Sequence, residues 1–252
     1  MHDNAAQFRF YAELNDFIPE RRKQKEFNYR FSGHPSVKDA VEAIGVPHPE
    51  VDLILVNDVS VGFDYHLRSG DRVAVYPVFE SMDVSPIIRL RPAPLRKPAF
   101  LVAGHLGKLA RLLRMLGFDS LCHENIDDAQ LIRTALDERR IILTRDRGLL
   151  KTGAVTHGYC IRAHDPHEQV RVVLRRFDLF SQVKPFHRCM VCNGVIAGVE
   201  KETISRELLE KTKLYYNEFH RCHDCGKIYW KGSHYHKMQD TIHLLAHADH
   251  AE

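Results

Sequence analysis

Four of the six cysteines fall in two short pairs, Cys189-x2-Cys192 and Cys222-x2-Cys225, with Gly194 and Gly226 close behind them. Two sulfurs three residues apart at a tight turn can reach one ion, and glycine permits the left-handed backbone such turns use. Two such pairs make a tetrahedral four-cysteine set, the donor set of structural zinc. Iron held by the same sulfurs is the rival. With no ligand position left open, the expected role is structural. His220, His223, His234 and His236 lie near the thiolates and are expected to be bystanders.

A second group is acidic. Asp127 and Asp128, Asp146 and Asp165 are spread along the middle of the chain. Whether they can act together depends on the elements that carry them. The apolar runs Ala99–Val102, Ser120–Cys122, Ile141–Thr144 and Tyr159–Arg162 read as short strands. The stretches 106–116, 127–138 and 167–177 between and after them read as helices. This βαβαβ(α)β order predicts a parallel sheet with helices on both faces. Functional groups gather at the carboxyl ends of parallel strands. Asp146 lies two residues beyond the third strand and Asp165 three beyond the fourth. Asp127 and Asp128 open the helix after the second. Carboxylates on one rim repel one another, and Mg²⁺ or Mn²⁺ relieves that repulsion while activating water. A plainer reading is also open, because an Asp at a helix start is commonly a cap.

Net charge is +3. It divides into −3 over residues 1–92, +6 over 93–184 and zero over 185–252. The basic middle segment is therefore the one expected to attract a polyanion. Lys108, Arg111 and Arg114 recur at three-residue spacing on one helix, and Arg145 and Arg147 flank Asp146, a set suited to an RNA backbone. A solvated helix face is the alternative, and His105 could add a phosphate contact.

The first 88 residues alternate differently. Strands at Gln7–Ala12 and Phe27–Phe31 precede a Ser36-capped helix over 37–44. Strands at Leu53–Val56, ending in an Asn57-Asp58 turn, and at Arg72–Tyr76 follow it. This ββαββ order suggests a β-grasp fold. "VND" (Val56 to Asp58) and "GDRVAVYP" (Gly70 to Pro77) resemble the ubiquitin-like sulfur carriers of thiamine and molybdopterin synthesis. Those carriers end in a free Gly-Gly; here the chain runs on into Arg89–Pro98, rich in proline and basic residues, so a docking or structural module is expected instead.

The runs "LGKLARLLRMLGFDSL" (Leu106 to Leu121), "DDAQLI" (Asp127 to Ile132) and "ILTRDRGLLK" (Ile142 to Lys151) resemble the Mut-seven C-terminal (Mut7-C) RNase family of PIN-like domains. The block "RCMVCNG…RCHDCGKIYWKGSHY" resembles it too. The resemblance implies a metal-dependent ribonuclease with an N-terminal ubiquitin-like domain, RNA as partner and Mg²⁺ or Mn²⁺ held by Asp128 and Asp146. Asp127 and Asp165 are the secondary candidates. It also implies an Asp at the end of the first strand, where this chain reads Phe100-Leu-Val-Ala103. Ala103 supplies no side-chain oxygen, so a weakened site is expected, or a catalytically inactive RNA-binding or adaptor protein.

The expected organisation is an α/β multi-domain chain. It comprises a β-grasp domain (1–88), a linker (89–98), a PIN-like domain (99–184), a four-cysteine zinc ribbon (185–238) and a His-rich tail (239–252). The tail places His243, His247 and His250 on one helical face. A helix-like run is expected over Ser205–Tyr216 inside the ribbon. Tyr229, Trp230, Lys231 and Tyr235 could stack bases, although the ribbon's own small core is the favoured use. Cys122 and Cys160 read as core residues. No apolar run approaches the roughly 18 residues of a membrane helix. No basic and apolar leader opens the chain, so a cytoplasmic location is expected. A protein partner is expected at the β-grasp domain.

Overall fold

The computed structural model describes residues 4–77, 98–124 and 126–246. Residues 78–97, which hold the end of the expected β-grasp span and nearly all of the expected linker, lie outside the described residues, as do His247 and His250.

The chain opens with β1 (Asn4–Phe10), β2 (Phe27–Phe31), α1 (Val37–Ile44), β3 (Val51–Val56), β4 (Val59–Ser60) and β5 (Arg72–Pro77). Ser36 and Asp39 cap α1 reciprocally, each side chain accepting the other's backbone N–H, as the Ser-x-x-acid pattern requires. The sheet order is β2-β1-β5-β3-β4, with β1 and β5 parallel at its centre and the other pairs antiparallel. This is the β-grasp arrangement. Alternate strand residues Phe8, Phe10, Ile54 and Val75 are fully buried, as are Val37, Ala40 and Val41 of α1. The two-residue β4 was not foreseen. Asn57 and Asp58 both take positive φ, 50° and 67°, the turn that folds a strand back on itself at once.

Next come β6 (Phe100–Ala103), α2 (Gly107–Met115), β7 (Ser120–His123), α3 (Asp128–Asp137) and β8 (Ile141–Thr144). They are followed by α4 (Arg147–Leu150), β9 (Gly158–Cys160) and α5 (Pro166–Arg176). The four-residue α4 takes the place of the bracketed helix between the third and fourth strands, and Asp146 caps it. The C-terminal part holds β10 (Ile196–Val199), α6 (Lys201–Ile204), α7 (Glu210–Tyr215), β11 (Phe219–Cys222), β12 (Ile228–Trp230) and α8 (Ser233–Ala246).

By contacts the chain forms two compact units, residues 1–96 with 144–160, and residues 97–143 with 161–252. The first unit thus takes in a segment assigned from sequence to the PIN-like domain. Hydrogen bonds attach it to the β-grasp part. The Cys160 N–H donates to Glu50 Oε1 at 2.6 Å, Lys151 Nζ donates to the Glu42 carbonyl at 2.7 Å, and His48 Nε2 lies 2.8 Å from the Val155 carbonyl.

In the second unit β6 is parallel to β7 on one side and to β8 on the other. Phe100, Leu101, Leu109, Leu113, Leu116, Ile142 and Leu143 are fully buried, and α2 packs on α5. Gly117 ends α2 with φ 96°, and a Cβ there would come within 2.1 Å of the Lys184 carbonyl oxygen. Gly117→Ala is therefore expected to cost roughly 2–4 kcal/mol, left-handed strain plus a backbone clash. Thermal unfolding of the variant would measure it, and an unchanged midpoint would contradict this reading.

Strands β10, β11 and β12 form an antiparallel sheet in that order. The expected helix over Ser205–Tyr216 is broken. A 3-10 turn spans Ser205–Glu207, residues Leu208 and Leu209 are extended, and α7 begins at Glu210. The break lets Leu208 turn inward to join Ile204 and Phe219 in the ribbon's core. Helix α8 runs through the expected boundary at 238/239, so residues 239–246 continue it and are not a separate tail. Cys160 is buried, but Cys122 is half-buried rather than a core residue.

Candidate metal centre and nuclease site

The four paired cysteines converge. Their sulfurs all lie within 4.8 Å of one another, with Cys189 Sγ 3.7 Å from Cys225 Sγ and Cys192 Sγ 3.4 Å from Cys222 Sγ. A tetrahedron of sulfurs about 2.3 Å from one zinc has edges of about 3.8 Å, so the donor set and its size fit zinc. Among the described residues these four are the group of three or more side chains placed to hold a metal ion, and no nearby histidine joins them.

The turns that aim the sulfurs are built unequally. Gly226 has φ 72°, as expected, but in the first turn Asn193 carries the left-handed backbone, φ 74°. Gly194 serves close approach instead: a Cβ there would lie 2.4 Å from Asp224 Oδ2 and 2.8 Å from Cys222 Sγ. Burial disfavours a Cys189 thiolate, but hydrogen bonds from the Tyr229 hydroxyl, at 3.0 Å, and from knuckle N–H groups prevail and lower its pKa to about 6. Burial and the neighbouring thiols push Cys192 up to about 12. Four crowded sulfurs ionise together only when a cation shares their charge.

A polar cluster ties the first knuckle to the parallel sheet. Arg114 donates through Nε to the Ser120 carbonyl at 2.7 Å and through Nη1 to the Val191 carbonyl at 2.9 Å. Asn193 accepts the Ser120 N–H at 2.8 Å and donates to Asp119 Oδ1 at 2.8 Å. Arg140 and Arg188 complete the shell of Asp119, at 2.6 and 3.0 Å. Arg114 is thus 7% exposed and committed to the knuckle. It leaves the exposed stripe proposed from sequence, where Lys108 and Arg111 remain.

Burial pushes the Asp119 pKa up, but Arg140, Asn193 and Arg188 more than offset this and hold it below the usual carboxylate range. A carboxyl depressed on folding contributes stability above its unfolded pKa and loses it as pH falls through the folded value. The contribution should therefore be intact at neutral pH and disappear only below about pH 4. Asp119→Ala removes the carboxylate shared by two guanidinium groups and should cost about 2–4 kcal/mol near pH 7. The cost should shrink at pH 3, and denaturant melts at the two pH values would test both statements. Nothing in the sequence marked Asp119, Ser120, Arg140 or Arg188. Asn193-Gly194 after the cysteine pair was the one visible trace, as a turn.

The acids occupy helix starts. Asp127 accepts the Gln130 N–H at 2.7 Å and caps α3, and exposed Asp128 is its first residue. Asp165 Oδ1 accepts the His167 and Glu168 N–H groups and caps α5; these bonds hold its carboxyl below the usual range. In the first unit, Asp146 Oδ1 accepts from Gly148 at 2.7 Å and Leu149 at 3.1 Å. Its own N–H donates to Thr144 Oγ1 at 3.0 Å. A cap occupies part of a carboxylate's roughly four lone-pair sites, so capping and cation binding are compatible. Ala103 ends β6 opposite His123 and is buried. His105 is exposed. Arg145 and Arg147 are exposed too, and the Arg147 guanidinium lies 5.0 Å from the centre of the Phe17 ring.

Comparison with known proteins places this architecture. The model of the Mut7-C RNAse domain matches residues 98–242. The chain belongs to the Mut7-C RNase family. A second family model, Mut7-C ubiquitin, matches residues 3–83, so the ubiquitin-like domain precedes the Mut7-C RNase domain. The crystal structure of SAMP1 from Haloferax volcanii is similar at 15% identity, over 31% of this chain and 100% of that chain. Its TM-score of 0.26 is too low to build on. No curated protein matches the sequence. Among the described residues no helix is long and apolar enough to cross a membrane.

Proposed function

We propose that this Mut7-C RNase domain is a metal-dependent ribonuclease whose Mg²⁺ or Mn²⁺ affinity is weakened at one position. The match of the RNase family over 98–242 carries the reading. Asp128 and Asp146 are the carboxylates proposed to hold the cation, with Asp127 and Asp165 in support. A bound divalent cation would supply an activated water and charge relief for an in-line displacement. The chain's own residues do the rest. The exposed Lys108 and Arg111, with Arg145 and Arg147, draw in the RNA backbone and fix its register. Because each caps a helix, Asp127, Asp146 and Asp165 are held in one orientation, which spares ordering when substrate binds. The zinc held by the four cysteines is proposed to have a structural role, and the β-grasp domain to be a docking module for a protein partner.

Ala103 favours a second reading, an RNA-binding or adaptor protein without activity, because the strand end offers no carboxylate where the family resemblance implies one. Cleavage of mixed RNA at low salt over a Mn²⁺ titration separates the two. The nuclease reading expects metal-dependent cleavage, half-maximal at high Mn²⁺. RNA that binds but stays intact at every Mn²⁺ concentration would favour the adaptor.

A further inference from the structure

The zinc-ribbon sheet has two unlike faces. On one, Val199, Phe219 and Trp230 are in register, and Phe219 packs with Ile204 and Leu208. That face is the ribbon's own core. On the other, Gly198, His220 and Tyr229 are in register, and they border a cavity of about 630 Å³ whose lining also takes in Val199, Phe219 and Trp230. Small-ligand sites occupy roughly 300–1,000 Å³.

Three observations narrow the occupant. The first is Gly198. It lies within β10, its φ is ordinary, and a Cβ there would meet nothing within 4 Å. Glycine inside a strand weakens it and often marks where another group approaches the backbone closely. The second is ring geometry. Phe186 and Tyr235 stack at 4.9 Å on the wall. Tyr229 is anchored by its hydroxyl to Cys189 Sγ. Trp230 is 39% exposed at the mouth. The third is charge. Glu200 and Glu218 line the cavity beside Arg188 and Lys231, but Lys231 is paired with Glu218 and Arg188 with Asp119, so a bare anion finds little unshared positive charge. A neutral, planar group with N–H donors on its edge suits this lining better than a bare anion does.

We infer that this cavity takes an unstacked base of single-stranded RNA, laid over Gly198 and flanked by the aromatic rings. Sequence-tolerant recognition of single strands rests on such stacking platforms beside cationic groups. The inference rests on RNA being the substrate and assigns the zinc ribbon a share in holding it.

Trp230 is the chain's single tryptophan, so intrinsic fluorescence reports from the mouth. The zinc-loaded full chain is titrated with an unstructured 12-nucleotide single-stranded RNA, with Mg²⁺ and Mn²⁺ omitted so that nothing is cut. Saturable quenching is expected. Gly198→Val, which fills the floor with a good strand former, should weaken binding about tenfold or more, the scale of one lost stacked base, with zinc content and melting temperature retained. Tyr235→Ala should weaken it similarly and serves should the valine variant lose zinc. A base-paired duplex of the same sequence should bind without the quench. The inference is overturned if single-stranded RNA binds with no change at Trp230. It is equally overturned if both variants bind like wild type, or if wild type ignores RNA, which would leave the cavity to a protein segment. Cleavage is read separately in Mn²⁺. Cutting with binding indifferent to both variants refutes the cavity alone, whereas groove-dependent binding without cutting refutes only the nuclease reading.

Discussion

Cys222→Ser is expected to take the protein from about one zinc per chain to nearly none and to unfold the ribbon. The reason is the size of what remains. Within the ribbon, Ile204, Leu208 and Phe219 form the buried cluster, with Val199, Tyr216 and Ile228 packed partly against it. A core that small leaves the ribbon dependent on its metal. A structural zinc contributes on the order of 10–16 kcal/mol at pH 7. Loss should spread beyond the ribbon, because the knuckle carbonyls of Met190 and Val191 and the side chain of Asn193 are partners of Arg114, Ser120 and Asp119. Metal analysis with hydrogen exchange would check this. A variant lacking zinc but with full amide protection over 188–230 would contradict it. Acid should mimic the substitution, since the thiols must be deprotonated to bind.

Asp146→Asn is expected to lower Mn²⁺-dependent cleavage about a hundredfold or more, several kcal/mol of transition-state stabilisation. The substitution is informative because asparagine caps helices as well as aspartate does. The bonds to the Gly148 and Leu149 N–H groups can persist, so the fold should hold while the charge is lost. Melting temperature within a degree or two of wild type, alongside lost cleavage, is the expected pair of results. Ala103→Asp should act oppositely. It adds a carboxylate at the end of β6, and the Mn²⁺ needed for half-maximal cleavage should fall. The new side chain replaces a buried methyl, so some stability should be lost unless the cation is present.

Much of this was legible because local pattern and global fold agree. Ser36 and Asp39 announced α1, the Asn57-Asp58 pair announced the tight turn, and two CxxC pairs announced a site whose sulfurs converge. What escaped depends on distant partners. Arg114 shares helical spacing with Lys108 and Arg111, but carbonyls 76 and 77 residues away claim it. The run Ser205–Tyr216 has helical composition, yet burying Leu208 beside Phe219 breaks it. The segment 144–160 joins the β-grasp unit through Glu42, His48 and Glu50, residues with no motif to mark them. Spacing placed Asp127 and Asp128 at the start of α3, which Asp127 caps, whereas the caps that Asp146 and Asp165 make on α4 and α5 were not read from it. The proposed part of these acids in catalysis comes from the family resemblance.

We propose that this chain cuts RNA with a divalent cation held by aspartates. The direct measurement is cleavage of end-labelled mixed RNA at low salt across a Mn²⁺ titration, for wild type, Asp146→Asn and Ala103→Asp side by side. Wild type should cleave in a metal-dependent way, Asp146→Asn should lose most of that activity, and Ala103→Asp should act at lower Mn²⁺. RNA left intact by both wild type and Ala103→Asp, with binding and zinc content normal, would contradict it.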